Sequence, residues 1–365
     1  MKTIGQIMDE HNGIGPGYDM LRIFLAFAVV FRHCFPIAYG NSEAASSGPL
    51  WTATMAIVPI FFTLSGFLVT GSALRLSLDN FIFSRVLRIV PALVVDTFVT
   101  ILLIGLIFTT VPISSYLTDS KTHAYLLNIF GFIHYFLPGT FENNPIPGVV
   151  NGALWTISPE LGCYAFISLL IYTGWVKNWK VVMMIAVLAI LVIIVASASK
   201  DNLPAWVQVT AAHPGAILVP NFLIGAVMYL RRHSIPYSPV LFSVCVALVV
   251  VSGFLLPEST FSVMPAWSAL AIPVYAYITV FLGATPIPKL PFFSRGDYSY
   301  GIYLYGFPIQ QALVAGLGIR EPLLLFAATV APVTLLAVFS WHIVEKPTLK
   351  FRKTFSMAAK IEAKR

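Results

Sequence analysis

Apolar runs of about twenty residues recur along this chain from Tyr18 to Val344, and that recurrence constrains the fold more than any other feature. A helix rises 1.5 Å per residue, so about 20 apolar residues cross a hydrocarbon layer roughly 30 Å thick. Of the 365 residues 58% are hydrophobic and only 10% charged, against about a quarter charged in a soluble domain. The mean hydropathy is +0.84. A net charge of +7 would point a soluble protein toward nucleic acid, but here basic residues flank helix ends and no nucleic-acid partner is expected. Apolar runs of that length read as membrane helices. The expected fold is all-α, a polytopic membrane helix bundle of about ten transmembrane helices, near 18–37, 50–72, 89–110, 152–174, 180–198, 215–230, 238–256, 267–285, 298–316 and 322–344. They form one transmembrane domain over 1–365, with 1–17 a short N-terminal segment and 346–365 a basic tail.

Orientation follows from the basic residues. With the N-terminus inside, one side of the membrane receives all of the 22 lysines and arginines except Arg32, Lys121, Lys200 and Arg320, a split of 18 to 4. Positive charge collects on the cytoplasmic side, so both termini are expected in the cytoplasm. The segment 111–150 then faces outward as a re-entrant or surface-lying element. The tail Lys346–Arg365 reads as a helix on anionic membrane lipid. Cys34, Cys163 and Cys245 all fall in apolar segments and give no disulfide framework.

The first span carries charge where a span should not. Tyr18 to Pro36 holds Arg22, Arg32 and His33, and ionisable groups in a bilayer usually face a polar cavity. Arg22 and His33 are eleven positions apart, three turns, so they share a face roughly 16 Å apart. Snorkelling at the two interfaces is the alternative.

Further along, Phe62-Thr-Leu-Ser65-Gly66-Phe-Leu places small residues where helices approach closely. Arg85 and Arg88 lie at i, i+3 just before the expected third span. They read as positive-inside anchors or as a bidentate phosphate site for a cytoplasmic ligand. Glu160, in Leu154-Trp-Thr-Ile-Ser-Pro159-Glu160, sits nine residues into a span and at the depth expected of His33. Asp96 is a further acid without an evident partner. Ser299 and the tyrosines of Ser299-Tyr-Gly301-Ile-Tyr303-Leu-Tyr305-Gly306 form an interfacial belt or line a polar tunnel. His342 and Glu345 read as an interfacial pair at a helix end.

Taken together, Arg22 and His33, the Phe62–Leu68 run, Arg85-Val-Leu-Arg88, the Leu154–Glu160 run, Ser299-Tyr-Gly-Ile-Tyr-Leu-Tyr305 and Val344-Glu-Lys-Pro347 resemble acyltransferase family three, integral-membrane O-acyltransferases of polysaccharides, lipopolysaccharide and glycolipids. The resemblance implies an acetyl-CoA or other acyl-CoA donor, no metal, a carbohydrate or lipid-linked saccharide acceptor, and a place in the cytoplasmic membrane. It implies essential roles for Arg22 and His33 and for the pair Arg85 and Arg88. The expected assignments are His33 as general base with Glu160 orienting it, and Arg22, Arg85, Arg88 and Ser299 on the donor. Two departures stand out: many members carry a histidine where this chain has Gly306, and a Val-Glu or Glu-Glu pair in place of Pro159-Glu160. A secondary transporter or flippase is the rival reading, though such folds tend to repeat their halves and no repeat is evident.

Overall fold

The computed structural model describes residues 1–40, 48–198, 215–255 and 264–351. The described residues are 78% helical with no strand; three isolated β-bridges tie turns together. Among the described residues six helices are long and apolar enough to cross a membrane: Tyr18–Tyr39, Leu50–Ala73, Leu78–Phe108, Gly152–Tyr172, Trp179–Ala196 and Pro322–Phe351. Leu218–Leu230, Pro239–Leu255 and Ala269–Ala284 are apolar but shorter, and Ser299–Leu317 has the length, at 19 residues, but is more polar. The third span differs most from expectation. Its helix begins at Leu78, so Arg85 and Arg88 belong to its first turns and do not precede it.

By contacts the chain sorts into two compact units, each described separately. The first comprises Met1–Leu25, Ala45–Leu78 and Gly162–Lys289. Its tightest crossing joins Ile57–Ala73 to Leu218–Leu230, and glycine explains it: a Cβ at Gly66 would overlap the Phe222 carbonyl, and one at Gly225 the Thr63 carbonyl. Small residues let two backbones touch where lipid supplies no hydrophobic drive to association. Trp179–Ala198 shows the opposite face of membrane packing. Met184, Leu188, Leu191, Val192 and Val195 recur at helical spacing and are exposed, an apolar stripe suited to lipid. The N-terminal segment is a short helix, Ile4–Glu10, opened by a capping box between Thr3 and Gln6 and tied to the 235–237 turn through Ile4 N–H to Ile235 O (2.9 Å) and Tyr237 N–H to Lys2 O (2.9 Å).

The second unit comprises Ala26–Ala44, Asp79–Leu161 and Leu290–Arg365, and Ser299–Leu317 runs through its middle with Ile302, Leu304, Tyr305, Gln310 and Gln311 almost fully buried. That burial explains why its composition is not that of a lipid-facing helix. Pro308 lies inside it and cannot bond the Leu304 carbonyl four residues back. The amide of Asn151 supplies that bond instead, at 3.0 Å. The helix Leu78–Val99 continues into a π-turn at Thr100–Gly105, where the Tyr116 hydroxyl donates to the Ile101 carbonyl at 2.9 Å. A Cβ at Gly105 would occupy the position of that hydroxyl, so glycine lets the phenol enter the turn. Burial pushes the Tyr116 hydroxyl up to about 12, which keeps it a donor.

The 111–150 segment opens with two short helices, Ile113–Thr118 and Ser120–Tyr125, and a 3-10 turn at Leu126–Phe130, and continues as hydrogen-bonded loops. Asn128 pairs with both backbone groups of His134, its amide to the carbonyl (3.0 Å) and its oxygen from the N–H (2.7 Å). Asn144 donates to the Gln311 side chain (2.8 Å), and Gln311 in turn to the carbonyls of Ile146 (3.0 Å) and Val149 (2.7 Å). Those bonds fasten the segment to the end of Ser299–Leu317. Of the basic tail, 352–365 lies outside the described residues.

Candidate active site

The site is built on one stripe of Ser299–Leu317. Ser299, Tyr303 and Phe307 follow one another at i, i+4 and i+8, roughly 12 Å from first to last on a slowly drifting face.

At the start of the stripe, Ser299 donates to Asp297 Oδ1 at 2.7 Å and Arg88 Nη2 meets Asp297 Oδ2 at 2.9 Å. Arg88 also lies over the Tyr300 ring, 5.7 Å from its centroid. Arg85, one helical turn earlier, bonds Ser84 Oγ at 3.3 Å and lies 5.8 Å from the Phe81 centroid. The structure therefore joins Arg88 and Ser299 through Asp297, to which the sequence reading gave no role. Beside them Glu345, 2% exposed, accepts from Ser340 (2.8 Å), whose oxygen takes the Tyr305 hydroxyl (2.8 Å). It is an electrostatic neighbour of both Arg88 and Asp297. The expectation of an interfacial His342–Glu345 pair is corrected here: Glu345 closes the π-turn Trp341–Glu345 inside the fold, while His342 Nε2 meets the Tyr298 hydroxyl at 3.0 Å. Buried Tyr298, Tyr303 and Tyr305 are likewise not an interfacial belt.

In the middle of the stripe, the Tyr303 hydroxyl donates to the Ala153 carbonyl at 2.7 Å and meets Thr156 Oγ1 at 2.6 Å. A phenol has one proton, so Thr156 is the donor in the second bond. Glu160, one turn beyond Thr156 and half-buried, acts electrostatically on Tyr303. At the far end, the His33 ring packs edge-on against Phe307 with centroids 5.2 Å apart. Tyr303 and Phe307 are one turn apart on the same face, the first within electrostatic range of Glu160 and the second in ring contact with His33. His33 itself is half-buried.

The segment of the first helix that carries His33 is held by the next residues of the stripe's helix. Gln310 donates to the Val30 carbonyl (2.7 Å) and to Cys34 Sγ (2.9 Å). At Gly306 a Cβ would come within 2.6 Å of Val30 Cγ2, so a side chain at this position requires that methyl to move. Asp96, fully buried, does have a partner: the Asn151 amide lies 3.1 and 3.3 Å from its two oxygens. Asn151 thus joins Asp96, the Leu304 carbonyl and, by accepting from Ala153 N–H (3.1 Å), the start of the Glu160 segment. Arg22 belongs to the first unit, where it is half-buried.

A helical membrane chain with a histidine, an acid and a guanidinium set along one internal stripe belongs to the multi-pass membrane enzymes. The acyltransferase domain family matches residues 16–342, and the chain belongs to that family. It is 27% identical over 90% of its length, and 94% of the relative's, to an "O-acetyl transferase" of Shigella phage Sf6. It is also 27% identical over 96% of its length, and 97% of the relative's, to "Nodulation protein 10" of Rhizobium leguminosarum bv. viciae. No solved structure gives a significant match.

Proposed function

We propose that this protein is a membrane O-acetyltransferase that moves an acetyl or short acyl group from acyl-CoA to a hydroxyl of a cell-envelope or exported carbohydrate or glycolipid. Family membership and the phage relative's name support acyl transfer to oxygen. The observation that carries the site assignment is the Ser299–Tyr303–Phe307 stripe, with Arg88 at one end and Glu160 and His33 at the other.

In this reading His33 accepts the proton of the acceptor hydroxyl as its oxygen attacks the thioester carbonyl. The tetrahedral adduct collapses, the C–S bond breaks, and the imidazolium returns the proton to the departing coenzyme A thiolate. Glu160 orients and charge-stabilises the imidazolium. Arg85 and Arg88, with Ser299, hold the donor's phosphates, because guanidinium forks bind phosphate bidentately. The pantetheine arm then extends along the stripe toward His33. The enzyme has about ten spans in the cytoplasmic membrane with both termini inside, the donor entering from the cytoplasm and the basic tail resting on anionic lipid. The transporter reading has no comparable support, since the family match covers the residues that motivated it.

Membranes containing the protein, incubated with labelled acetyl-CoA, are expected to transfer label to envelope carbohydrate. Membranes carrying His33→Ala at equal expression are expected not to. Equal labelling by both would end the assignment of His33.

A further inference from the structure

Arg88 and Ser299, assigned above to the donor, are both engaged by a single carboxylate. Asp297 offers one oxygen to Arg88 Nη2 at 2.9 Å and the other to the Ser299 hydroxyl at 2.7 Å. A guanidinium and a hydroxyl spaced to hold two carboxylate oxygens will also hold two phosphate oxygens. Glu345 adds a second acid beside the same guanidinium. Arg88 therefore serves a carboxylate already, and a phosphate that takes its guanidinium must displace that carboxylate. Glu345 is fixed inside the π-turn at 2% exposure. Asp297 and Arg88 have side chains 27% and 23% exposed, so solute reaches their bond and Asp297 can leave it.

We propose that Asp297 is an internal competitor for the donor's phosphate. It fills the Arg88–Ser299 subsite in the free enzyme, and the donor binds by exchange, its phosphate oxygens taking the guanidinium and the hydroxyl while the carboxylate turns to water. This deepens the acyl-CoA reading and rests on it. The exchange takes place at the first residue of the stripe that supports Glu160 and His33, so filling the donor site is felt by the helix on which the catalytic pair rests. It also sets a selectivity: a solute with one negative charge gains little by displacing a carboxylate, whereas a doubly charged phosphate gains a stronger bond.

The test is the affinity of the purified full-length protein for acetyl-CoA, measured by calorimetry in detergent for wild type, Asp297→Asn and Asp297→Glu. Asn keeps the size and the acceptor for Ser299 but removes the charge, and exchange predicts donor binding about twofold to fivefold tighter. Glu keeps the charge, so binding no tighter than wild type is expected. Equal or weaker binding by Asp297→Asn would overturn the exchange and make Asp297 a fixed support for Arg88. Should Asp297→Asn not give a monodisperse protein, Asp297→Ser, also neutral and able to accept from Ser299, decides the question. Failure of both to fold would make the ion pair a structural bond and likewise end the proposal. Wild-type protein that does not bind acetyl-CoA at all would overturn the donor reading itself, a result distinct from unchanged affinity in the variants.

Discussion

In the proposed mechanism His33 carries the chemistry and Tyr303 supports it, and substitution separates the two. His33→Ala is expected to lower the rate of transfer by about 10²–10⁴, the range for a lost general base, while acetyl-CoA binds as before. Single-turnover transfer and equilibrium binding on the same preparation check both halves. Tyr303 touches no reacting atom, so it is a positioning residue. Tyr303→Phe removes the donor to Ala153 O and leaves the Thr156 hydroxyl without its acceptor, a cost of about 1–2 kcal/mol in stability. If the phenol only holds the fold, kcat should stay unchanged once the protein is folded. If it positions Glu160, kcat falls several-fold with the KM for acetyl-CoA unchanged and the acidic limb of the pH–rate profile shifts. At this scale the sequence was a partial guide. His33, Glu160, Arg88 and Ser299 were visible because charge or hydroxyl stands out in apolar surroundings. Asp297 and Asn151 were quoted or passed over without a role, since no spacing along the chain reveals that Asp297 meets Arg88, or that the proline at 308 leaves a carbonyl for Asn151 to bond.

Helices in this chain are defined by what they pack against more than by their own composition. The sequence reading began the third span at 89 because Asp79, Asn80, Arg85 and Arg88 interrupt the apolar run. The helix starts at Leu78 because Ser84 is buried and Arg88 is bound by Asp297. Ser299–Leu317 was counted as an ordinary span, whereas its glutamines fasten the first helix on one side and the 141–149 turns on the other. The Ser65-Gly66 reading as a site of close approach was sound, and its partner Gly225 makes a quantitative test possible. Gly225→Ala drives a methyl into the Thr63 carbonyl, which is backbone and cannot turn aside, so a loss of about 1–3 kcal/mol is expected. Gly162→Ala is the control: nothing lies within 4 Å of its added Cβ, and in a helix alanine is favoured over glycine by about 1 kcal/mol. Thermal midpoints in one detergent should fall for the first and hold or rise for the second.

For the molecule as a whole, the all-helical membrane class was legible from composition alone, because a chain so poor in charge has no soluble alternative. The number of crossings was less so. Among the described residues six helices meet the length and hydropathy of a span, three apolar ones are shorter, and Ser299–Leu317 is long but polar; any even number of crossings puts both termini on one side, and ten is the number if all of these cross. Charge asymmetry argues that they do. Eighteen of the 22 basic residues share a side under that count, and removing any one crossing would send those that follow it to the opposite face, against the tendency of lysine and arginine to stay in the cytoplasm. Reporters that fluoresce only in the cytoplasm, fused after Lys177, after Arg232 and at the C-terminus, are therefore expected to be bright, and one fused after Thr118 dark. The Arg232 and C-terminal fusions are the decisive pair, because Pro239–Leu255, Ala269–Ala284 and Ser299–Leu317 all lie between them. Bright fusions at both positions require an even number of crossings after Arg232, as the four expected there provide. A bright Arg232 fusion with a dark C-terminus would mean that one of those four helices does not cross, and the donor subsite at Arg88, Asp297 and Ser299 would then need a new assignment of which end of the stripe faces the cytoplasm.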